Sequence, residues 1–370
     1  MSAGKKAGMD MTQGTIWNKI LLFALPLAAS SMLQQLFNSV DTAVVGRFAS
    51  SEALAAVGSN GSLISLMINL FIGISLGANV VIAKYIGQKS DENVQAAVHT
   101  AIVVALISGV FVMIFGQLIA KPVLTLMGTP DDVIGLSALY MRIYFLGMPF
   151  FMLYNYGAAI LRAVGDTKRP LLFLMIAGVI NACLNMVLVI VFKLGVAGVA
   201  IATVISQMIS CVLVLRCLCR SESSYRLRFS ELGMKGYYLK QIFSVGVPAG
   251  IQSTVINFSN VLLQSSVNSF GSTAMAGYTA ANNLLGFLYV SVNSITQACM
   301  SFTSQNYGVG KLKRMDRVLA DCMILSVVVA VVLGCICYGF GPEILRIYTE
   351  DAEVIACGME ILAYLSLIHI

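Results

Sequence analysis

Charged residues are scarce in this sequence. Asp, Glu, Lys and Arg make up 11% of its 370 residues, whereas hydrophobic residues make up 58%. A soluble domain carries roughly 25% charged residues, so this chain has too few to cover a surface exposed to water. Its mean hydropathy is +0.87, and apolar runs of about 20 residues, long enough to cross a bilayer, recur along its length. The composition predicts an all-α integral membrane protein.

The sequence is also poor in the residues of metal and catalytic sites. It has only two histidines, and its nine cysteines show no CxxC spacing and lie mostly within apolar runs. These residues complete neither a zinc motif nor a Ser-His-Asp set. The stretch QNYGVGKLK at 305–313 lacks the first glycine of a phosphate loop and the Ser/Thr that follows its lysine. We therefore expect no enzyme activity, no cofactor and no resident metal.

Breaks between the apolar runs predict about nine complete spans and part of a tenth. These lie near 16–45, 53–83, 94–119, 133–161, 170–192, 195–215, 241–268, 274–304, 318–340 and from 352 onward. With the N-terminus inside, 18 of the 23 Lys and Arg residues fall on the cytoplasmic side and five on the other. The positive-inside rule thus predicts a cytoplasmic N-terminus. The net charge of +6 then reflects topology, and no nucleic-acid partner is expected.

The chain resembles itself at an offset of 222 residues. The matched pairs are Pro26 and Pro248, Asn38 and Asn260, Phe48 and Phe270, Ser50 and Ser272, and Asn60 and Asn282. An offset of six helices keeps both copies in one orientation, which predicts two parallel, pseudo-symmetric six-helix lobes. We name these the N-terminal lobe (1–215), the interlobe linker (216–240) and the C-terminal lobe (241–370). The basic linker is interpreted as a solvated cytoplasmic loop.

Two six-helix lobes require twelve spans, so the C-terminal lobe is predicted to be incomplete. The last residues, LSLIHI at 365–370, match one translated frame of an adapter common in sequencing libraries. We therefore expect a C-terminal truncation, with residues 365–370 non-native.

One carboxylate, Asp41, lies inside the first apolar run. Burying it at mid-membrane costs about 2.5–3.5 kcal/mol on insertion scales. Gln34, Asn38 and Asp41 share one helix face, which must point into the bundle or a wet cavity. Pairing with Arg47 or a hydrogen bond to a neighbouring helix is the structural alternative. A functional role is favoured, because a spacing of six residues places Arg47 off the Asp41 face.

Other polar residues also share helix faces within the predicted spans. Asn181 and Asn185 are four residues apart, as are Thr203 and Gln207. Contacts between helices are the simpler explanation for either pair alone. In the C-terminal lobe Asn257, Asn260 and Gln264 share a face, but Leu263 stands at the position equivalent to Asp41. A single titratable group predicts one cation site, in the N-terminal lobe.

Several motifs resemble those of the multidrug and toxic compound extrusion (MATE) transporters. They are ALP at 24–26, VDTAVVGRF at 40–48, KYIGQK at 84–89, LRAVGDTKRP at 161–170, NACLNMVLV at 181–189 and LGVAGVAIATVISQ at 194–207. The resemblance extends to about Tyr364. It implies twelve helices in two lobes around a central cavity, and export of drugs or toxic organic cations in exchange for H⁺ or Na⁺.

The resemblance also implies roles for individual residues. Asp41, Asn181, Asn185 and Thr203 match the family's cation site, which could hold Na⁺, and Pro26 matches its helix bend. Gln34, Asn38, Tyr154, Asn257, Asn260 and Gln264 are candidates for the substrate cavity. Where related chains often have aspartate, this one has Asn185, which leaves the coupling ion open. A monomer in a bacterial cell membrane, in contact with lipids, is expected.

Two other functions are considered. A flippase for a lipid-linked precursor shares the general architecture, but we expect it to need basic residues within its cavity. The spans of this chain contain almost no Lys or Arg. A truncated chain that inserts into the membrane without transporting is the second alternative.

Overall fold

The protein is almost entirely helical. The computed structural model describes residues 8–48, 51–126, 131–268, 272–346 and 352–368, and no strand occurs among them. Its α-helices are α1 (Ile16–Phe48), α2 (Ser51–Gly87), α3 (Asp91–Leu126), α4 (Asp131–Leu146), α5 (Met148–Ala163), α6 (Lys168–Asn185), α7 (Gly195–Cys219), α8 (Gly236–Asn268), α9 (Ser272–Gly308), α10 (Leu312–Gly339), α11 (Gly341–Leu345) and α12 (Ala352–Ile368). The predicted all-α fold class is confirmed.

The helices follow the predicted spans with two local differences. The span predicted at 133–161 is two helices, α4 and α5, which meet at Gly147 with a bend of 49°. Pro149 lies in the first turn of α5, where its missing N–H costs no hydrogen bond. The span predicted at 170–192 begins as α6 and continues as a π-helix, Met186–Val191.

Membrane-length helices recur through the described part of the chain. Six of them are long and apolar enough to cross a bilayer, or seven if the bent pair α4–α5 is one span. This supports a protein that crosses the membrane several times. The predicted number of nine to ten spans stays a prediction.

A buried hydrogen bond joins two positions of the sequence repeat. The hydroxyl of Ser301 on α9 donates to the Asn79 side-chain oxygen on α2 at 3.0 Å, and the residues are 222 positions apart. Positions related by a two-fold axis can touch only near that axis, so α2 and α9 cross close to it. Asn79 also donates to the Ala159 carbonyl at 2.9 Å, which fixes α5 to the same point. The geometry agrees with the predicted repeat.

Glycines set the contact between α2 and α8. We call Gly73, Gly77, Gly246 and Gly250 the glycine seam. A Cβ at Gly246 would lie 2.5 Å from Ile74 Cα, and one at Gly250 would lie 2.6 Å from the Leu70 carbonyl oxygen. No side chain fits between these backbones, so the two helices pack at the closest approach that glycine permits.

The repeat-equivalent contact, between α1 and α9, is built from larger side chains. Ala24 stands at the position equivalent to Gly246, and Ile295 at that equivalent to Gly73. The Phe23 and Phe302 rings meet edge to face with centroids 5.8 Å apart, and both side chains are buried. The two predicted lobes are therefore joined by one tight contact and one wider, aromatic contact.

The segment before α1 also joins the predicted lobes. We call residues 8–15 the N-terminal strap. Met11 is fully buried, and its carbonyl accepts a hydrogen bond from Asn306 at 3.2 Å. The carbonyls of the next three residues accept from Lys311 and Arg314 at 3.0–3.1 Å. At the other end Gly165 lies against Met9.

The interlobe linker packs against α3. Its backbone N–H groups at Arg228 and Lys235 donate to His99 Nε2 at 3.2 Å and to Thr100 Oγ1 at 3.3 Å. Tyr225 and Leu227 are buried. The interpretation of this segment as a solvated loop is therefore wrong for these residues, because their apolar side chains have a helix to pack on.

The glycine seam generates a stability prediction. Gly246→Ala places a methyl group against the α2 backbone, and overpacking of this kind costs about 1–3 kcal/mol. We expect a lower melting temperature for the purified protein. Gly286→Ala on α9 is the matched control, because its Cβ meets nothing within 4 Å. An unchanged melting temperature for Gly246→Ala would contradict the close approach.

Candidate functional site

A cavity of about 390 Å³ lies among the helices of the N-terminal lobe. Its lining includes predicted site residues from α1, α5, α6 and α7, which are distant in sequence. These are Gln34, Asn38, Asp41, Tyr154, Asn181 and Thr203, together with Gln207 from the face predicted on α7. The polar faces that helical periodicity predicted on α1, α6 and α7 therefore meet at this cavity.

Asp41 is held by two other helices. It is 8% exposed. The Asn185 side-chain amide on α6 donates to one of its carboxylate oxygens, and the Thr203 hydroxyl on α7 lies 3.4 Å from the other. The hydroxyl also donates to the Val199 carbonyl at 2.9 Å, so its bond to Asp41 is the weaker one. These two hydrogen bonds, one of them weak, replace only part of the hydration that a carboxylate loses when it is buried.

Asn185 contacts both Asp41 and Asn181. Its amide N–H group also donates to the Asn181 side-chain oxygen at 3.2 Å. Its own side-chain oxygen is buried and has no hydrogen-bond partner among the described residues. Buried acceptors without a partner are rare and call for an explanation. This oxygen, close to a carboxylate, is one that a small cation could use.

The helix that carries Asn185 changes form directly after it. α6 ends at Asn185 and the π-helix begins at Met186. Single π-helical turns inside α-helices are rare and occur frequently at functional sites. A polar spacing of four residues fits a regular α-helix, so this change of form could not be predicted from Asn181 and Asn185.

Aromatic residues form part of the cavity wall. Among the described lining residues Tyr154 was predicted from the sequence, whereas Phe37, Tyr140, Tyr144 and Phe151 were not. Tyr140 and Tyr144 on α4 both line the cavity, with rings stacked at 5.9 Å between centroids. Their spacing of four residues was the available signal. On the opposite side the Phe37 ring packs directly against Gly178, where any larger residue would displace it.

Pro26, Asn257 and Asn260 are not among the described residues that line this cavity. Asn257 on α8 donates to the Ser253 carbonyl of its own helix at 2.8 Å, and Asn260 is exposed. The side chains of Gln264 and Arg47 lie outside the described set, as does the alternative ion pair between Arg47 and Asp41. Pro26 lies within α1, which runs from Ile16 to Phe48, and Ser30 donates to its carbonyl at 2.8 Å.

The site's chemistry is that of one negative charge among neutral oxygens. The described residues that line the cavity include Asp41 but no Lys, Arg or His. Among the described residues no group of three His, Cys, Asp or Glu could hold a metal ion. Carboxylate, amide and hydroxyl oxygens suit a proton or a hard cation.

Membrane-length helices that enclose a polar cavity are the features of a multi-pass membrane protein. The MatE family model matches residues 26–187 and 248–370. The two matches begin 222 residues apart, at Pro26 and Pro248, which is the offset of the repeat. The chain belongs to the MatE family of transporters.

Two relatives agree with this assignment, and a solved structure shares the fold. The "Probable multidrug resistance protein YoeA" of Bacillus subtilis is 33% identical over 92% of this chain and 75% of its own length. YpnP of Bacillus subtilis, also described as a probable multidrug resistance protein, is 26% identical over 97% of this chain and 80% of its own. "Crystal structure of MATE in the bent conformation" superposes with a TM-score of 0.90 at 21% identity, covering 100% of this chain and 82% of that one.

The hydrogen bond to Asp41 generates the next prediction. Asn185→Leu removes the amide while roughly preserving volume, and leaves a buried carboxylate without its donor. The expected loss of stability is about 1–3 kcal/mol, observed as a lower melting temperature of the purified protein. Asn257→Leu is the control, because that amide bonds only its own helix. Equal melting temperatures for both variants would argue against the Asn185–Asp41 bond.

Proposed function

We propose that this protein is a secondary active multidrug efflux antiporter. It exports organic, often cationic, small molecules in exchange for H⁺ or Na⁺. The observation that carries this proposal is Asp41, a single carboxylate buried in a polar cavity between membrane helices. Family membership and the names of the relatives from Bacillus subtilis support the substrate class.

Each residue of the proposed cation site has a distinct role. Asp41 provides the charge, and the coupling ion binds to its carboxylate. Asn185 orients that carboxylate and offers its unpartnered oxygen, while Asn181 and Thr203 complete the polar surroundings. A proton needs only the carboxylate, whereas Na⁺ needs several oxygens at once. The Asn185 oxygen therefore matters more for Na⁺ than for H⁺.

One negative charge in the cavity explains exchange in simple terms. A bound coupling ion neutralises Asp41, so an organic cation in the same cavity loses its counter-charge and leaves. Release of the ion to the other side restores the charge and the affinity for a new substrate. A charge that moves through the membrane potential contributes about 2.3 kcal/mol per 100 mV, which makes the cycle directional.

The bend that couples occupancy to shape is proposed at Pro26. Proline lacks the N–H that would close a helical hydrogen bond and clashes with the preceding turn. The part of α1 beyond Pro26 carries Asp41, so a change in hydrogen bonding at Asp41 is transmitted along one helix. When the ion is bound, bending there narrows the cavity and releases the substrate.

The proposed orientation places the N-terminus in the cytoplasm of a bacterial cell. It rests on the distribution of Lys and Arg, 18 on one side and five on the other. The N-terminal strap, the linker, Lys84 at the end of α2 and Lys311 between α9 and α10 then all face the cytoplasm. We propose that the protein acts as a monomer.

A flippase for an anionic lipid-linked precursor is a weaker candidate. Such a substrate carries phosphate and requires positive charge within the cavity. The lining residues that the structure gives include a carboxylate and no base, so the field in the cavity favours cations.

Asp41→Asn is expected to abolish coupled efflux while leaving expression and membrane insertion unchanged. The amide keeps the size of the side chain and removes its charge. The measurement is efflux of a fluorescent organic cation such as ethidium from cells that express the protein, with membrane levels checked by immunoblot. Asp316→Asn, at an exposed carboxylate, makes the same chemical change outside the cavity and should retain efflux. Full efflux by Asp41→Asn would disprove the mechanism.

The coupling ion can be identified with proteoliposomes and Asn185→Leu. Na⁺ or pH gradients are imposed separately, and ethidium movement is followed. If Na⁺ drives transport, we expect Asn185→Leu to reduce it about tenfold or more, because a ligand oxygen and a donor to Asp41 are both lost. If protons drive transport, a smaller reduction is expected. Transport by wild type with neither gradient imposed would contradict antiport.

A further inference from the structure

A second cavity, of about 800 Å³, lies where the two predicted lobes meet, far along the helices from Asp41. We call it the interlobe cleft. It is formed by the end of α2, the beginning of α8 and the end of α9, all on the predicted cytoplasmic side. Two lysines lie in its lining: Lys84 comes from the end of α2, and Lys240 comes from the first turns of α8, at the end of the predicted interlobe linker.

The positive charge of this cleft is not neutralised by nearby acids. The lining residues given by the structure include no Asp or Glu. Among the described residues neither lysine forms an ion pair. The Lys84 ammonium instead lies 5.3 Å from the centre of the Tyr85 ring and 6.0 Å from that of Tyr307. Two ammonium groups in one cleft favour an anion.

Deeper than the lysines the lining contains three valines together with Ser244, Thr303 and Ser304. The hydroxyls of Ser244 and Ser304 already donate to carbonyls of their own helices. Val80 and Val81 on α2 precede Lys84 by about one helical turn, and Val245 on α8 follows Lys240 by a little more than one. At a rise of 1.5 Å per residue these side chains lie roughly 5–8 Å further into the predicted membrane than the lysines. Tyr237 and Tyr307 at the rim are 67% and 56% exposed, and tyrosine is enriched at the membrane–water interface.

This arrangement matches an amphiphile with an anionic head and an apolar tail. A soluble phosphate or nucleotide would leave the valines without a partner, whereas a phospholipid satisfies both ends. We propose that the interlobe cleft binds the headgroup of an anionic phospholipid from the cytoplasmic leaflet, with its phosphate between Lys84 and Lys240. The lipid then bridges the two lobes at a point where they meet, and it stabilises the arrangement that brings the two lysines together.

The test uses the purified full chain in a neutral detergent. Short-chain phosphatidylglycerol is titrated in, and binding is followed by native mass spectrometry and by the shift in melting temperature. Phosphatidylcholine with the same acyl chains tests the charge, and inorganic phosphate at equal concentration tests the need for a tail. We expect phosphatidylglycerol alone to bind and to raise the melting temperature.

Each single variant, Lys84→Gln or Lys240→Gln, is expected to bind phosphatidylglycerol about fivefold more weakly, because a lysine near an anionic surface contributes about 1 kcal/mol. The double variant Lys84→Gln/Lys240→Gln is expected to bind about thirtyfold more weakly. Lys89→Gln/Lys313→Gln removes the same charge from exposed positions on the same side and should bind like wild type. Lys84→Arg/Lys240→Arg keeps both charges and should retain binding, which separates loss of charge from damage to the fold.

Three results would overturn the proposal. Unchanged binding by Lys84→Gln/Lys240→Gln would place the lipid elsewhere. An equal loss in Lys89→Gln/Lys313→Gln would indicate general surface attraction. Equal stabilisation by inorganic phosphate or by phosphatidylcholine would show that the combination of charge and tail is not recognised. None of these outcomes depends on transport, so the lipid site and the antiport mechanism can fail independently.

Discussion

A carboxylate placed among membrane helices has to be compensated, and much of the N-terminal lobe is arranged around that requirement. Asp41 on α1 receives a hydrogen bond from Asn185 on α6 and lies near the Thr203 hydroxyl on α7. Three helices are therefore held in register by one side chain. Because these hydrogen bonds replace only part of the lost hydration, the carboxylate keeps an affinity for a cation. The same hydrogen bonds order the three helices, so a cation bound to Asp41 affects how the helices are held.

Local sequence rules predicted the parts of the site that depend only on helical period. Gln34, Asn38 and Asp41 share a face because residues three and four positions apart always do, and the same holds for Asn181 and Asn185. No local rule shows which faces meet. The grouping of four residues into one cation site is implied by the family resemblance, and the structure brings Asp41, Asn181, Asn185 and Thr203 together.

Features that depend on tertiary contact were not predicted. Gly147 and Pro149 mark the bend between α4 and α5, but both residue types are also frequent within continuous membrane helices. Tyr140 and Tyr144 carried a visible spacing, yet in most membrane helices such tyrosines are packing residues. The π-helix after Asn185 has no sequence signal that we can identify. In the C-terminal lobe periodicity grouped Asn257 and Asn260, which are not among the described residues that line the cavity, since a polar face alone does not specify its partner.

The N-terminal strap has a consequence for how this protein can vary between species. Lys311 and Arg314 bind main-chain carbonyl oxygens of Thr12, Gln13 and Gly14, and every amino acid supplies that oxygen. Gln13 is thus free to vary in identity. Thr12 is constrained by its hydroxyl, which donates to the Asp10 carboxylate at 2.7 Å, Gly14 by its φ of +74° and Met11 by its burial. In related sequences we therefore expect Lys311 and Arg314 to be conserved, whereas the contact itself places little constraint on the identity of the residues whose carbonyl oxygens they bind.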